Sequence, residues 1–340
     1  MDIWCALMLS EDKKNIKPEV IRVSKELSGL RLDKFIRYYI AGIKQSHLEK
    51  IIGSGGIRVN KKKVKPNCIL NFNQLVSIPP GLKEQNFETY SKPKFIPLKK
   101  DIELIRSSKI YEDENIIALN KPSGLPVQGG TKVHRHVDGL MMNSFDHIQK
   151  HYLLHRLDKD TTGVLIIAKN RLYAKEFSSY LKNKNIRKTY LAIVHGKIEK
   201  IKGSIDLPLL KEKVGNNEKM IVDYNKGLKS ITKYKVLEYS NGFSLVLLFP
   251  ITGRTHQLRV HMSSLGHPIL GDKKYNDTSK IEYEFKSSSL MLHCLQMSFP
   301  NKKLKEKFIR AEINQKFYKI LKILKMENNK SLLEKRFDYE

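Results

Sequence analysis

Residues 155–163 read His155-Arg156-Leu157-Asp158-Lys159-Asp160-Thr161-Thr162-Gly163 and run directly into Val164-Leu165-Ile166-Ile167-Ala168. The second half is a short apolar run of strand length, the pattern of a strand buried on both faces. The first half places an arginine, two aspartates and a lysine on the loop that feeds it. Charges are seldom left beside a core strand unless they are paired or employed. On the residues alone, Asp158 reads equally well as half of a structural ion pair or as a reactive carboxylate. The tetrapeptide Arg-Leu-Asp-Lys also occurs at 31–34, where amphipathic helix spacing makes Asp33 a surface carboxylate near a helix start.

Working outward, residues 22–80 form a basic unit with 12 Lys/Arg against 3 Asp/Glu. Leu32, Phe35, Ile36, Tyr39, Ile40 and Ile43 follow helical spacing. Ser46-His47-Leu48-Glu49 has the form of a capping box opening a second helix, which Gly53, Gly55 and Gly56 end. Ile57-Arg58-Val59, a Lys61-Lys62 turn and a strand from Gln74 to Ile78 complete the unit. Residues 81–106 read as a linker, 107–326 as a larger domain and 327–340 as a polar, fraying tail.

In the larger domain, strands are expected at 115–120, 188–195, 229–239, 243–249 and 289–299. Asn170 is expected to cap a helix with Leu172, Phe177, Tyr180 and Leu181 on one face. Further helices are expected at 255–265 and through Ile313, Phe317, Ile320, Leu321 and Leu324. Strand and helix do not alternate regularly, which argues against a doubly wound sheet. The expected class is α+β, a large mostly antiparallel mixed sheet with flanking helices, plus a small N-terminal α/β unit.

The chain has 340 residues, 40% hydrophobic, and a net charge of +28 from 63 basic and 35 acidic residues. That composition is globular rather than disordered, and the excess charge suits a polyphosphate partner through counterion release. A solvated cationic surface is the plainer alternative. Three distant cysteines, Cys5, Cys68 and Cys294, point to a reducing compartment. The apolar run 3–9 lacks a basic flank, so it is not read as a signal peptide. No run of about 18 apolar residues exists, so a cytoplasmic protein without membrane contact is expected. His256, His261 and His267 lack the partner cysteines or glutamate of a zinc motif; no metal and no cofactor are expected.

Three further motifs join the first: 110–130, from Ile110-Tyr111-Glu112 through Asn120-Lys121-Pro122-Ser123-Gly124 to Gly129-Gly130; Lys188-Thr189-Tyr190; and 252–275, beginning Thr252-Gly253-Arg254-Thr255-His256-Gln257. In order and spacing the four resemble the catalytic domain of RluA-family RNA pseudouridine synthases. Residues 22–80 resemble the S4 RNA-binding domain. The resemblance implies that Asp158 is the nucleophile, that Arg254 pairs with it after a sharp turn at Gly253, and that Tyr190 lies under the target base. Arg156 would fill the gap left by a flipped uridine. Arg31, Lys34, Arg58, Lys61 and Lys62 would contact RNA, and the run 182–188 would contact phosphates.

The Gly129-Gly130 ending is similar to the large-subunit ribosomal RNA branch, so 23S rRNA or a pre-50S particle is the expected partner of a monomeric enzyme. Thr162, Gln128 and Ser230-Ile231-Thr232 depart from the family pattern without removing a reactive group. Three readings compete with this one: a non-catalytic RNA-binding or ribosome-assembly protein, a family member acting on tRNA, and a glycosidase using Asp158 with Asp160.

Overall fold

The computed structural model describes residues 18–40, 42–82, 97–130, 133–145, 150–215, 217–276, 289–301, 304–327 and 336–337. The chain divides into two compact units, Met1–Lys94 and Phe95–Glu340. Cys5, the apolar run 3–9, most of the expected linker (83–96) and most of the tail (328–335 and 338–340) lie outside the described residues.

In the first unit, β1 (Glu19–Arg22), β4 (Leu75–Ile78), β2 (Arg58–Val59) and β3 (Lys62–Lys63) form an antiparallel sheet in that order. Helices α1 (Leu32–Tyr39) and α2 (Gln45–Ser54) share its core through Leu32, Phe35, Ile36, Leu48 and Ile52. Two local expectations are corrected. Helix α2 begins at Gln45, so Ser46 lies inside the first turn and no side chain caps it. Asp33 is buried rather than on the surface, because Arg31 grips both its carboxylate oxygens at 3.1 and 2.6 Å.

The second unit starts with α3 (Lys99–Ser107), inside the stretch expected as linker. The helix is anchored by buried Ile105 and by buried Asp101, which pairs with Arg135 at 2.8 Å. Then come β5 (Lys109–Glu112), β6 (Ile116–Lys121), α4 (Val137–Ser144), β7 (Tyr152–Leu153), β8 (Thr162–Ala168), α5 (Arg171–Lys182) and β9 (Arg187–His195). Next are β10 (Lys202–Asp206), the hairpin β11 (Leu209–Val214) and β12 (Asn217–Val222), β13 (Ile231–Ser240), β14 (Phe243–Pro250) and α6 (Gln257–Ser264). β15 (Leu292–Asn301), β16 (Lys305–Arg310) and α7 (Gln315–Ile323) close the order.

Ten strands form one sheet, β10-β13-β14-β9-β15-β8-β6-β5, with β16 added on β15 and β7 on β8. Only the β15–β8 pair is parallel. The expected α+β class with a mostly antiparallel sheet therefore holds. The sequence pattern explains why β8 lies inside: all seven of its residues are buried. Asn170 caps α5 by accepting the Tyr173 N–H, as expected. Leu172, expected on the packed face of α5, is instead 83% exposed. The tail is not wholly frayed, since the Phe337 carbonyl accepts from Gln296 and Arg336 pairs with Glu306.

Two features fix the start of β8. Gly163 has φ +106°, and a Cβ there would lie 2.2 Å from the Cys294 carbonyl oxygen. Only glycine lets β8 and β15 meet at this register. Gly163→Ala is expected to lower stability by on the order of 3 kcal/mol or more, through overpacking against backbone that cannot move aside. Urea unfolding measures it, and a loss below about 1 kcal/mol would contradict the steric account.

Beside it, His293 Nδ1 meets the Thr162 hydroxyl at 2.8 Å and Nε2 meets the Ala311 carbonyl at 3.1 Å. Burial lowers its pKa to about 4. The unfolded chain binds this proton below about pH 6.5. Stability is therefore fully present above that value and is lost as the pH falls from 6.5 to 4, by about 3 kcal/mol from this residue. His293→Gln is expected to flatten that part of the stability–pH curve. An unchanged slope between pH 6.5 and 4.5 contradicts the assignment.

Candidate active site

The loop before β8 is held from three directions. His155 is buried, and its Nε2 accepts the Ile166 N–H at 3.0 Å, which stitches the loop to the strand it precedes. Lys121, fully buried at the end of β6, donates to the carbonyls of Pro122, Leu125 and Lys159 at 2.8, 2.8 and 2.9 Å. Burial lowers its pKa to about 7, opposed by Asp160 and Asp158. The three carbonyls favour the ammonium form, since only that form carries three protons. Ser123 donates to the Asp160 carbonyl at 3.1 Å. These contacts leave the Asp158 side chain about a quarter exposed, at the edge of a cavity.

The cavity is about 210 Å³ and is lined by Arg156, Asp158, Lys188, Tyr190, Arg254 and Arg259 among others. At about 30 Å³ per liquid water, that is the volume of about seven waters, room for one flat heterocycle. Tyr190 and Lys188 alternate with Thr189 along β9, so the two share a face. Burial drives the Tyr190 pKa well above its ordinary value, with Cys294 and Asp158 adding to the shift. The phenol therefore keeps its proton and presents a flat, mostly buried ring. Burial lowers the Lys188 pKa. Lys184, from the expected phosphate-contacting run, lines the same cavity.

The structure brings Asp158, Tyr190, Arg156 and Arg254 to one cavity but does not pair Asp158 with Arg254. Arg254 is exposed, and its Nε reaches the Lys229 carbonyl at 3.5 Å. The guanidinium beside Asp158 belongs to Arg259, whose Nη1 lies 3.4 Å from Oδ2. Arg259 is aimed by Asp272, which takes its Nε at 2.7 Å and Nη2 at 2.8 Å. Asp272 is itself fixed by the N–H groups of Lys274 and Tyr275. Burial works against the Asp272 charge, but Arg259 and these N–H groups outweigh it and hold its pKa below the usual carboxylate range.

The expected turn at Gly253 is also corrected. Gly253 has no left-handed φ, and a Cβ there would meet nothing within 4 Å. The chain turns instead at His256, whose φ is +50°. His256 Nε2 lies 3.8 Å from Asp158 Oδ2. Sequence reasoning missed His256, Arg259 and Asp272 as the groups beside and behind Asp158. A signal was present: Gln257-Leu258-Arg259-Val260-His261-Met262 is buried helix, and an arginine there requires a carboxylate partner.

The five basic residues expected to touch RNA in the first unit, Arg31, Lys34, Arg58, Lys61 and Lys62, are all exposed. The ring nitrogens of the three histidines weighed as zinc ligands meet separate partners: Tyr275 for His256, Thr232 and Leu207 for His261, and His195 for His267. Among the described residues no helix is long and apolar enough to cross a membrane.

A large mixed sheet with a loop carboxylate and a buried tyrosine lining one cation-rich cavity is the frame expected from the likeness to RNA pseudouridine synthases. The profile of the family described as RNA pseudouridylate synthase matches residues 115–264. A ribosomal large subunit pseudouridine synthase C of Buchnera aphidicola is 34% identical over 313 residues, 89% of this chain and 96% of that protein. The protein of that name from Escherichia coli K12 is 35% identical over 260 residues, 76% of this chain and 80% of that one. The solved human RNA Pseudouridylate Synthase Domain Containing 4 covers 66% of this chain and 95% of its own, with 26% identity and a TM-score of 0.56. The chain belongs to the RNA pseudouridylate synthase family, as the motifs led us to expect.

Proposed function

We propose that this enzyme isomerises uridines of large-subunit 23S ribosomal RNA to pseudouridine, as a cytoplasmic monomer without metal or cofactor. The observation that carries the chemistry is Asp158 at the edge of a base-sized cavity, 3.4 Å from Arg259, with Tyr190 lining the same cavity. Asp158 is the nucleophile. Asp158 forms a covalent bond to the nucleoside as the bond from the ribose to N1 breaks, and the base turns. A bond from the ribose to C5 forms as the bond to Asp158 breaks, and the proton lost from C5 to solvent is matched by one taken up at N1. A carboxylate suits the task because it can form a covalent adduct and then depart.

Tyr190 supplies the face on which the flipped uracil lies. Arg156, exposed on the loop two residues before Asp158, fills the vacated stack. Arg254 and Lys184 take up phosphates around the cavity. Residues 22–80 act as an S4-like RNA-holding domain through Arg31, Lys34, Arg58, Lys61 and Lys62, and contribute salt-sensitive affinity. The large-subunit substrate is supported by the names of the two bacterial relatives and by the Gly129-Gly130 ending.

The test is to map pseudouridines in ribosomal and transfer RNA with and without this protein in its own cell. Loss of sites in 23S rRNA alone is expected. Loss confined to tRNA overturns the substrate, and no loss in either overturns the proposal.

A further inference from the structure

Tyr275 lies outside every role given above, yet three groups converge on it. Its hydroxyl receives the Met220 N–H of β12 at 3.1 Å and meets His256 Nδ1 at 2.7 Å. Its ring lies 5.1 Å from the Arg259 guanidinium carbon and 5.5 Å from the His256 ring, edge-on. Leu209 and Met220 of the β11–β12 hairpin pack with it and with Val260 of α6. Tyr275 therefore touches both groups that face Asp158, and also the one hairpin outside the main sheets of the described residues.

The hydrogen bonds favour one placement of the proton on His256. A backbone N–H can only donate, so the Tyr275 oxygen accepts from Met220. That oxygen could also accept from the histidine, but among the described residues His256 Nδ1 is the one acceptor within reach of the phenol proton. The arrangement that satisfies that proton therefore makes Nδ1 the accepting nitrogen. Neutral His256 thus carries its proton on Nε2, which faces Asp158 Oδ2 at 3.8 Å. His256 holds a left-handed φ of +50°, a strained conformation for a non-glycine residue that persists only when its surroundings hold it. The hydrogen bond to Tyr275 is such a hold.

We infer that Tyr275 is a positioning residue for the isomerisation: its hydroxyl fixes the His256 tautomer so that an N–H faces Asp158, its ring seats Arg259, and its bond from Met220 ties both to the β11–β12 hairpin. The inference rests on Asp158 being the reacting carboxylate. His256 is faced by Asp158 from the loop before β8, by Arg259 from its own helix, and by Asp272, Lys274 and Tyr275 from the segment after α6.

The test is Tyr275→Phe, which keeps the ring and removes only the hydroxyl. Nitrogen-15 spectra of histidine-labelled protein are expected to show His256 protonated at Nε2 in the wild type and as a tautomer mixture in the variant. The kcat is expected to fall about tenfold to a hundredfold, the scale of misplacing a reacting group by about 1 Å, with KM for RNA unchanged. Without the donor to Nδ1 the imidazolium forms more easily, so the acid limb of the kcat–pH profile moves to higher pH. Tyr275→Leu, which also removes the ring beside Arg259, is expected to lower kcat further.

A wild-type His256 protonated at Nδ1, or a Tyr275→Phe enzyme with wild-type kcat and pH profile, overturns the inference. The spectrum needs no turnover. An active Asp158→Asn enzyme defeats the catalytic reading while leaving the tautomer assignment standing.

Discussion

Asp158→Asn will abolish pseudouridine formation, with a fall in kcat on the order of 10⁴-fold or more, the scale seen when a covalent nucleophile is removed. Asparagine keeps the shape of the side chain but lacks the anionic oxygen that the proposed mechanism needs to attack and later leave. The fold will hardly notice. Asp158 is about a quarter exposed and sits 3.4 Å from Arg259, whereas the closer contacts of Arg259 go to Asp272. A partly exposed pair at that distance contributes about 1 kcal/mol or less. The measurement is tritium release from C5-labelled uridine in RNA, with the thermal midpoint as control. Asp160→Asn is the paired control, because a glycosidase reading needs both carboxylates. The Asp160 carbonyl, and not its carboxylate, takes the Ser123 hydroxyl, so this variant should retain wild-type turnover. A folded Asp158→Asn protein that still releases tritium sinks the nucleophile assignment.

The strands that carry the site were legible because their patterns are extreme. Seven consecutive buried residues in β8 and the apolar run of β14 leave little room for another reading. The helix cap at Asn170 was legible because one side chain supplies one missing acceptor locally. The hairpin β11–β12 was not, since Lys211, Glu212, Lys213, Glu218 and Lys219 hide its alternation and its packing face is completed by Val260 and Tyr275 from far along the chain.

The linker was misread for a related reason. Lys99-Lys100-Asp101 looks solvated until Arg135, 34 residues later, takes the buried Asp101 carboxylate. Asp33 shows the same effect at short range, where its own neighbour Arg31 makes burial tolerable. Asp101 has its partner far along the chain, whereas Arg31 stood in plain view and was not read as the partner that lets Asp33 be buried.

The largest correction, the guanidinium beside Asp158, carries the second large expected effect. Arg259→Gln will cost kcat about 10² to 10³-fold, the usual loss when a preorganised charge beside the reacting centre is removed. It will also cost stability by about 3 to 5 kcal/mol, because it leaves a buried carboxylate without its cation. That carboxylate is Asp272, whose side chain is 1% exposed and which keeps only the N–H groups of Lys274 and Tyr275.

Arg259→Lys will not restore the wild type. One ammonium cannot reproduce the two-pronged grip on Asp272 while also reaching Asp158. Arg254→Gln will behave differently. Its guanidinium is exposed and reaches a single carbonyl at 3.5 Å, so stability should stay within about 0.5 kcal/mol. Its effect should appear in KM for RNA and in the salt dependence of binding. Measuring kcat, KM and the urea midpoint for the three variants separates the roles. If Arg254→Gln loses kcat while Arg259→Gln keeps it, the ion pair drawn here between Asp158 and Arg259 is not the one the reaction uses.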